Sequence, residues 1–278
     1  MNGKYFFTSE SVNSFDNTEK MYFLGFIQKN FYKISQREMA RELNIGKTTV
    51  NRWSKELGLK TKKNTVNEGF FRKFSPQMSY ILGYIITDGN ISWDTKKSYR
   101  SLTITAAEKD KQHLERIRST LKSTKELLYS EKTKSYRLIV TNKKICLDLM
   151  MLGIPPRKSL TVKFPKIPKE YLKDFIRGVI DGDGSVRYVD RKRSPYFEIT
   201  IYSGSPKFLK QLARVIEKEI NISTKLKKVH KNTFSIRYTC KRGKMLADWI
   251  YKDAKLFLNR KFKQYLITKK TEVVVPEE

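Results

Sequence analysis

Histidine and cysteine are nearly absent from this sequence of 278 residues, which holds only His113, His230, Cys146 and Cys240. The two cysteines lie far apart, at neither zinc-ligand spacing nor the spacing of a disulfide framework. Nuclease plans that need clustered His or Cys are therefore disfavoured, and a reducing compartment is expected. Long apolar runs are missing too. No stretch approaches the roughly 20 residues needed to cross a bilayer, and the first thirty are polar and aromatic, without the apolar stretch of a signal peptide. No membrane partner is expected. Acidic residues are scarce, with 28 Asp and Glu against 58 Lys and Arg, a formal charge of +30.

That surplus makes a compact chain repel itself unless a polyanion shares the space. Nucleic acid fits, because Lys and Arg release the counterions condensed on its phosphates. Aromatics are plentiful, with fifteen Tyr and sixteen Phe, and 39% of the residues are hydrophobic, enough for a real core. The expected partner is double-stranded DNA. The expected setting is intracellular, reducing and DNA-containing, a cytoplasm with its nucleoid or an organelle matrix, and not a secreted one.

Residues 35–58, SQREMARELNIGKTTVNRWSKELG, carry a helix-turn-helix pattern. Ser35 and Glu38 form a capping box. Met39, Ala40 and Leu43 make one apolar face, and Asn44 supplies a residue that tolerates a left-handed turn. Val50, Trp53 and Leu57 make the inner stripe of the next helix. That helix is expected to present Lys47, Thr48, Thr49, Asn51 and Arg52 to phosphates and base edges. Met21 to Phe31 is expected to supply a supporting helix. Gly46-Lys47-Thr48 is not the end of a phosphate-binding loop, since Arg41 stands where that loop needs glycine and a helix precedes it. Residues 61–75 read as a basic tether, with Phe70 and Phe71 able to dock.

The remaining chain contains a repeat. YILGYIITDGN (80–90) aligns with FIRGVIDGDGS (175–185), pairing Gly83 with Gly178, Asp88 with Asp183 and Gly89 with Gly184 at an offset of 95. Ile104 and Thr105 meet Ile199 and Thr200 at the same offset. Further on, Tyr136 meets Phe234 and Leu152 meets Ile250 at an offset of 98. Each unit reads as a helix bearing Asp-Gly, two alternating strands, an amphipathic helix, two more strands and closing helices. The fold class is α+β: two pseudo-symmetric αββαββα units forming a saddle of antiparallel sheets, preceded by a small all-α helix-turn-helix domain. The expected divisions are residues 1–60 for the helix-turn-helix, 61–75 for the linker, 76–165 and 166–270 for the two halves, and 271–278 for a tail. Alternation along RLIVTNK and SIRYTCK leaves one sheet face open. Arg100, Tyr136, Arg137, Arg187, Tyr188, Arg191, Tyr196, Arg237 and Tyr238 are the candidates to line that face against DNA.

ILGYIITDG (81–89) and IRGVIDGDG (176–184) resemble two copies of the LAGLIDADG motif, and residues 69–269 resemble the two-motif, single-chain branch of that homing endonuclease family. Ile86 stands where the motif has its first Asp, Thr87 where it has Ala, and Arg177 at its second position. Gly83 and Thr87, like Gly178 and Gly182, are four apart and share a helical face, so the two motif helices are expected to pack closely about a pseudo-two-fold axis. Gly89 and Gly184 are expected to end them as left-handed caps. Asp88 and Asp183 then meet, and carboxylates forced together repel unless cations sit between them. Mg²⁺ is the expected cofactor, with Mn²⁺ substituting and Ca²⁺ binding without supporting cleavage.

The resemblance further implies metal ligands in the Gly89 and Gly184 backbone, and a catalytic lysine in each half, for which Lys158 and Lys261 stand 70 and 78 residues after their acids. It implies a sequence-specific endonuclease making a double-strand break at a long pseudo-palindromic site, acting as a monomer with no obligatory protein partner. Two alternatives stay open: a non-cleaving transcription regulator of the same fold, and an RNA-splicing maturase with intron RNA as partner.

Overall fold

The computed structural model describes residues 16–59, 64–94, 99–156, 162–190 and 195–271. They divide into two compact units, the first ending at Lys63 and the second starting at Asn64.

The first unit is three helices, α1 (Asn17–Asn30), α2 (Gln36–Glu42) and α3 (Lys47–Glu56). The Ser35 hydroxyl accepts from the Glu38 amide while the Glu38 carboxylate accepts from the Ser35 amide, which completes the capping box. Asn44 turns the chain at φ 51°, and the Ile45 amide closes the corner onto the Ala40 carbonyl. Ile27, Met39, Val50 and Trp53 form a closed core of their own. Thr49 is buried with them, against expectation. It stands four residues before Trp53, and that spacing places both on the inner side of α3. Lys47, Thr48, Asn51 and Arg52 remain exposed.

The second unit opens with residues expected as a tether. From residue 64 they are docked instead: Asn67 donates its amide to the Leu121 carbonyl, Thr65 and Thr124 exchange bonds, and Phe71 is buried. Then follow α4 (Pro76–Asp88), β1 (Gly89–Asp94), β2 (Tyr99–Ala107), α5 (Lys111–Thr120), β3 (Leu128–Ser130), β4 (Ser135–Val140) and α6 (Lys143–Met151). The second copy runs α7 (Leu172–Asp183), β5 (Gly184–Val189), β6 (Tyr196–Ser203), α8 (Pro206–Ile220), β7 (Lys227–His230), β8 (Thr233–Thr239) and α9 (Cys240–Tyr251), with α10 (Asn259–Thr271) added. The two antiparallel sheets have the same order, β1-β2-β4-β3 and β5-β6-β8-β7.

Pairing corrects the alignment of the repeats. Gly89 faces Ile104 while Gly184 faces Ile201, so Ile104 corresponds to Ile201 rather than Ile199. Two residues of the slip occur in the first hairpin, because the β5–β6 connection is longer than the one joining β1 and β2. Downstream, Leu138 pairs with Ile104 and Ile236 with Ile201, so one more residue of slip between these strands brings the offset to 98. One hydrophobic core runs through both halves, built on Leu82, Ile85, Phe175 and Val179 of the motif helices. Among the described residues no helix is long and apolar enough to cross a membrane.

Candidate active site and nucleic-acid face

The two motif helices touch backbone to backbone. A Cβ on Gly83 would lie 2.1 Å from the Phe175 carbonyl oxygen, and one on Gly178 would lie 2.0 Å from that of Tyr80. Such distances leave room only for glycine. One turn further, a Cβ on Gly182 would meet the Thr87 hydroxyl at 1.8 Å. Gly83, Thr87, Gly178 and Gly182 are thus the residues on which α4 and α7 meet.

Both helices pass directly into a strand. Gly89 has φ −92° and Gly184 φ −89°, extended rather than left-handed. Glycine is needed there for space: a Cβ would stand 2.6 Å from the Ile85 carbonyl oxygen at Gly89 and 2.4 Å from that of Ile180 at Gly184. The sharp exit sets Asp88 and Asp183 at the two helix ends. The Gly182 Cβ position is 3.3 Å from Asp88 Oδ2, so the first carboxylate lies against the residue preceding the second acid. Asp183 is exposed. Beside it is a cavity of about 240 Å³ lined by Thr87, Tyr202, Ser203 and Asn232 among others. The last three were not foreseen. They come from the end of β6 and the β7–β8 turn, and nothing in their local sequence marks them as neighbours of Asp183.

Residues 170–272 match the family model of the LAGLIDADG-like domain. They form a LAGLIDADG-like domain. The preceding half repeats its element order and sheet topology, so the second unit is a two-copy LAGLIDADG fold. Three solved structures are similar to the chain. I-SmaMI bound to uncleavable DNA is similar with a TM-score of 0.50 at 10% identity over 70% of this chain and 89% of that one. I-AabMI bound to uncleaved DNA gives 0.49 at 12%, over 71% and 93%. The I-LtrWI homing endonuclease bound to target DNA gives 0.48 at 15%, over 75% and 92%. No curated protein matches the sequence.

Within this LAGLIDADG-like domain, Lys261 does not stand free for chemistry. It is buried, and its Nζ donates to the carbonyls of Ile180 (2.7 Å), Asp181 (2.7 Å) and Gly184 (2.6 Å), with Gly182 at 3.4 Å. The ammonium therefore caps the C-terminus of α7, where orphan carbonyls and the helix dipole favour a cation. Burial pushes its pKa down to about 8, against the opposing pull of Asp181. The Gly184 carbonyl, expected as a metal ligand, is taken by this lysine, and a second cation at that oxygen meets its charge. Lys158 lies outside the described residues, as does Arg191.

Two residues of the second motif have clear structural roles. Arg177 is fully buried, with Nε donating to the Leu256 carbonyl (2.9 Å), Nη1 to that of Ile250 (2.6 Å) and Nη2 to Asp174 (2.6 Å). It ties α7 to the chain around the end of α9. Asp181 is also buried, and its Oδ2 accepts from the Tyr80 hydroxyl (2.7 Å) and the Leu258 amide (2.8 Å). Burial raises its pKa. Among the described residues no three His, Cys, Asp or Glu side chains group as a metal site.

Successive strand residues face opposite ways, and this sorts the candidates for the DNA face. Arg137, Arg187 and Arg237 are exposed on the open side, and Tyr196 shares it with Glu198 and Thr200. Their sequence neighbours turn to the helices. Tyr238 is buried in the core, Tyr188 packs against that core, and Tyr136 lies against the tilted ring of Tyr129 (4.8 Å between centroids) beneath the Lys111 ammonium. Arg100 shares the side of Leu102 and Ile104 and lies 3.8 Å over the Trp93 ring. These four are corrections: each tyrosine adjoins an outward-facing arginine and so faces the other way, and Arg100 shares the core side of β2.

Proposed function

We propose that the chain is a sequence-specific DNA endonuclease that makes a metal-dependent double-strand break at a long, pseudo-palindromic site. The observation carrying this reading is the Asp88 carboxylate lying against Gly182, next to Asp183. Two carboxylates converge there in a chain of charge +30, and the C-terminus of α4 adds its partial negative charge, that of α7 being capped by Lys261. Hard oxygen donors of that kind suit Mg²⁺ or Mn²⁺, and the cavity beside Asp183 has room for further ligands from water and phosphate. Asp88 and Asp183 would hold the ion, which supplies charge stabilisation at the phosphorus and an acidified water when bound. Arg137, Arg187 and Arg237 would contact the duplex, with Lys47, Thr48, Asn51 and Arg52 of the helix-turn-helix engaging a flanking segment. Two unlike halves in one chain read a site that is only approximately symmetric, without a protein partner.

The test is incubation of a supercoiled plasmid library with wild type, Asp88→Asn and Asp183→Asn in Mg²⁺. Linear product should fall about 100-fold or more in either variant, the loss expected when a metal's stabilisation is removed, while duplex binding persists. A double variant that cuts normally refutes the assignment, and tight binding without cutting by wild type identifies a regulator instead.

A further inference from the structure

The open face of the second sheet has an acid at its centre. Glu198 of β6 sits opposite Arg187 of β5 and diagonally across from Arg237 of β8, whose own partner is Thr200. Only 1% of its side chain is exposed, while more than half of each arginine remains in solvent. The carboxylate divides its oxygens, Oε1 accepting from Arg187 Nη2 and Oε2 facing Arg237 Nε at 3.9 Å. Each guanidinium carries five donors, so most remain for a ligand.

The fold does not require this trio. By the register that matches Ile104 to Ile201, the first sheet has Ser101 in place of Glu198, Ser92 in place of Arg187 and Ile139 in place of Arg237. Nor does phosphate binding account for it, since a carboxylate between two arginines weakens their attraction for a polyanion. What a shared carboxylate does supply is order. It removes rotamer freedom from Arg187 through a hydrogen bond and draws Arg237 toward the same acid by charge, which orients before a ligand arrives the planar forks that match the O6 and N7 edge of guanine.

We propose that Glu198 is a specificity-setting positioning residue, holding Arg187 and Arg237 as a preformed pair that reads two neighbouring G·C base pairs in the half-site under the second sheet. This rests on the DNA-binding reading above. The lysine-rich remainder of the chain then supplies affinity, and this pair supplies discrimination.

The experiment is selection from a library of randomised 30-base-pair duplexes in Ca²⁺, followed by sequencing of the bound DNA, for wild type, Glu198→Gln and Arg187→Lys. Wild type should enrich a site containing two neighbouring guanines. Glu198→Gln should relax the preference at both positions by about tenfold, yet bind an unrelated duplex as tightly as wild type or more tightly, since a negative charge has gone. A merely structural role predicts the reverse, with all DNA binding falling together, and that result overturns the proposal. Arg187→Lys retains charge on an exposed residue and should lose one guanine only. Retention of both guanines by that variant overturns the proposal however Glu198→Gln behaves, as does a wild type that binds duplexes without selecting guanine there. A wild type that binds no duplex at all refutes the endonuclease reading itself.

Discussion

Tyr80 gives its single hydroxyl proton to Asp181 on the opposite motif helix, 2.7 Å away. His113 Nε2 lies 2.9 Å from the same phenol oxygen, so it must be the donor in that second bond. A chain of three buried polar groups thus crosses the interface between the halves. Burial holds the His113 pKa down to about 4, helped by the positive charge of Arg116.

This depressed value makes stability depend on pH. Between about 6.5 and 4 the unfolded chain takes up a proton at His113 that the native chain refuses. Stability from this group is complete above the first value and is lost as pH falls through the second, by up to about 3 kcal/mol. The buried Asp181 carboxyl, whose pKa is raised, acts in the opposite sense, so the comparison must isolate His113. Urea unfolding of wild type and His113→Gln from pH 7 to 4 does so. The wild-type curve should be the steeper, and parallel curves would show that His113 contributes nothing.

Gly178 has no room for a methyl group, because the position of its Cβ is 2.0 Å from a backbone oxygen that belongs to a packed helix. Gly178→Ala should destabilise the second unit by at least about 3 kcal/mol, the upper range for overpacking. It should also abolish cleavage, because α4 and α7 then separate at the acid pair. A variant with wild-type thermal unfolding would show that the helices can slide apart at little cost.

Arg177 and Asp174 form a buried ion pair at 2.6 Å. Arg177→Met leaves that carboxylate uncompensated and strands the Ile250 and Leu256 carbonyls, with an expected loss of about 3–5 kcal/mol. Adding Asp174→Asn should recover part of it. Denaturant midpoints of the two variants decide the matter, and equal values would mean that the charge of Asp174 is not the problem.

On α3 the exposed and buried residues should behave differently toward DNA. Lys47→Ala and Arg52→Ala should each reduce the slope of log affinity against log salt by about 0.9, one phosphate contact apiece. Thr49→Val, at a buried site, should leave the slope unchanged. Fluorescence anisotropy over a salt series measures all three, and a changed slope in Thr49→Val would place that residue on the DNA.

Local sequence patterns determined a good deal here. The capping box at Ser35, the left-handed turn at Asn44, the duplicated Asp-Gly at the helix ends and the two-residue alternation of the strands all depend on residues within a few positions of one another. Their physics is that of a single helix turn or a single strand. The glycines of the motif helices were legible for the same reason, since spacing of four puts them on one face. Tertiary structure decided everything that joins distant positions. It placed Lys261 on the carbonyls of α7, about eighty residues away, and Arg177 on Leu256 and Ile250. It showed Gly89 and Gly184 to be glycines for want of space rather than for their φ. It also chose which member of each Arg-Tyr pair faces out, because alternation fixes that two neighbours must differ while only the packed helices decide which of them is buried.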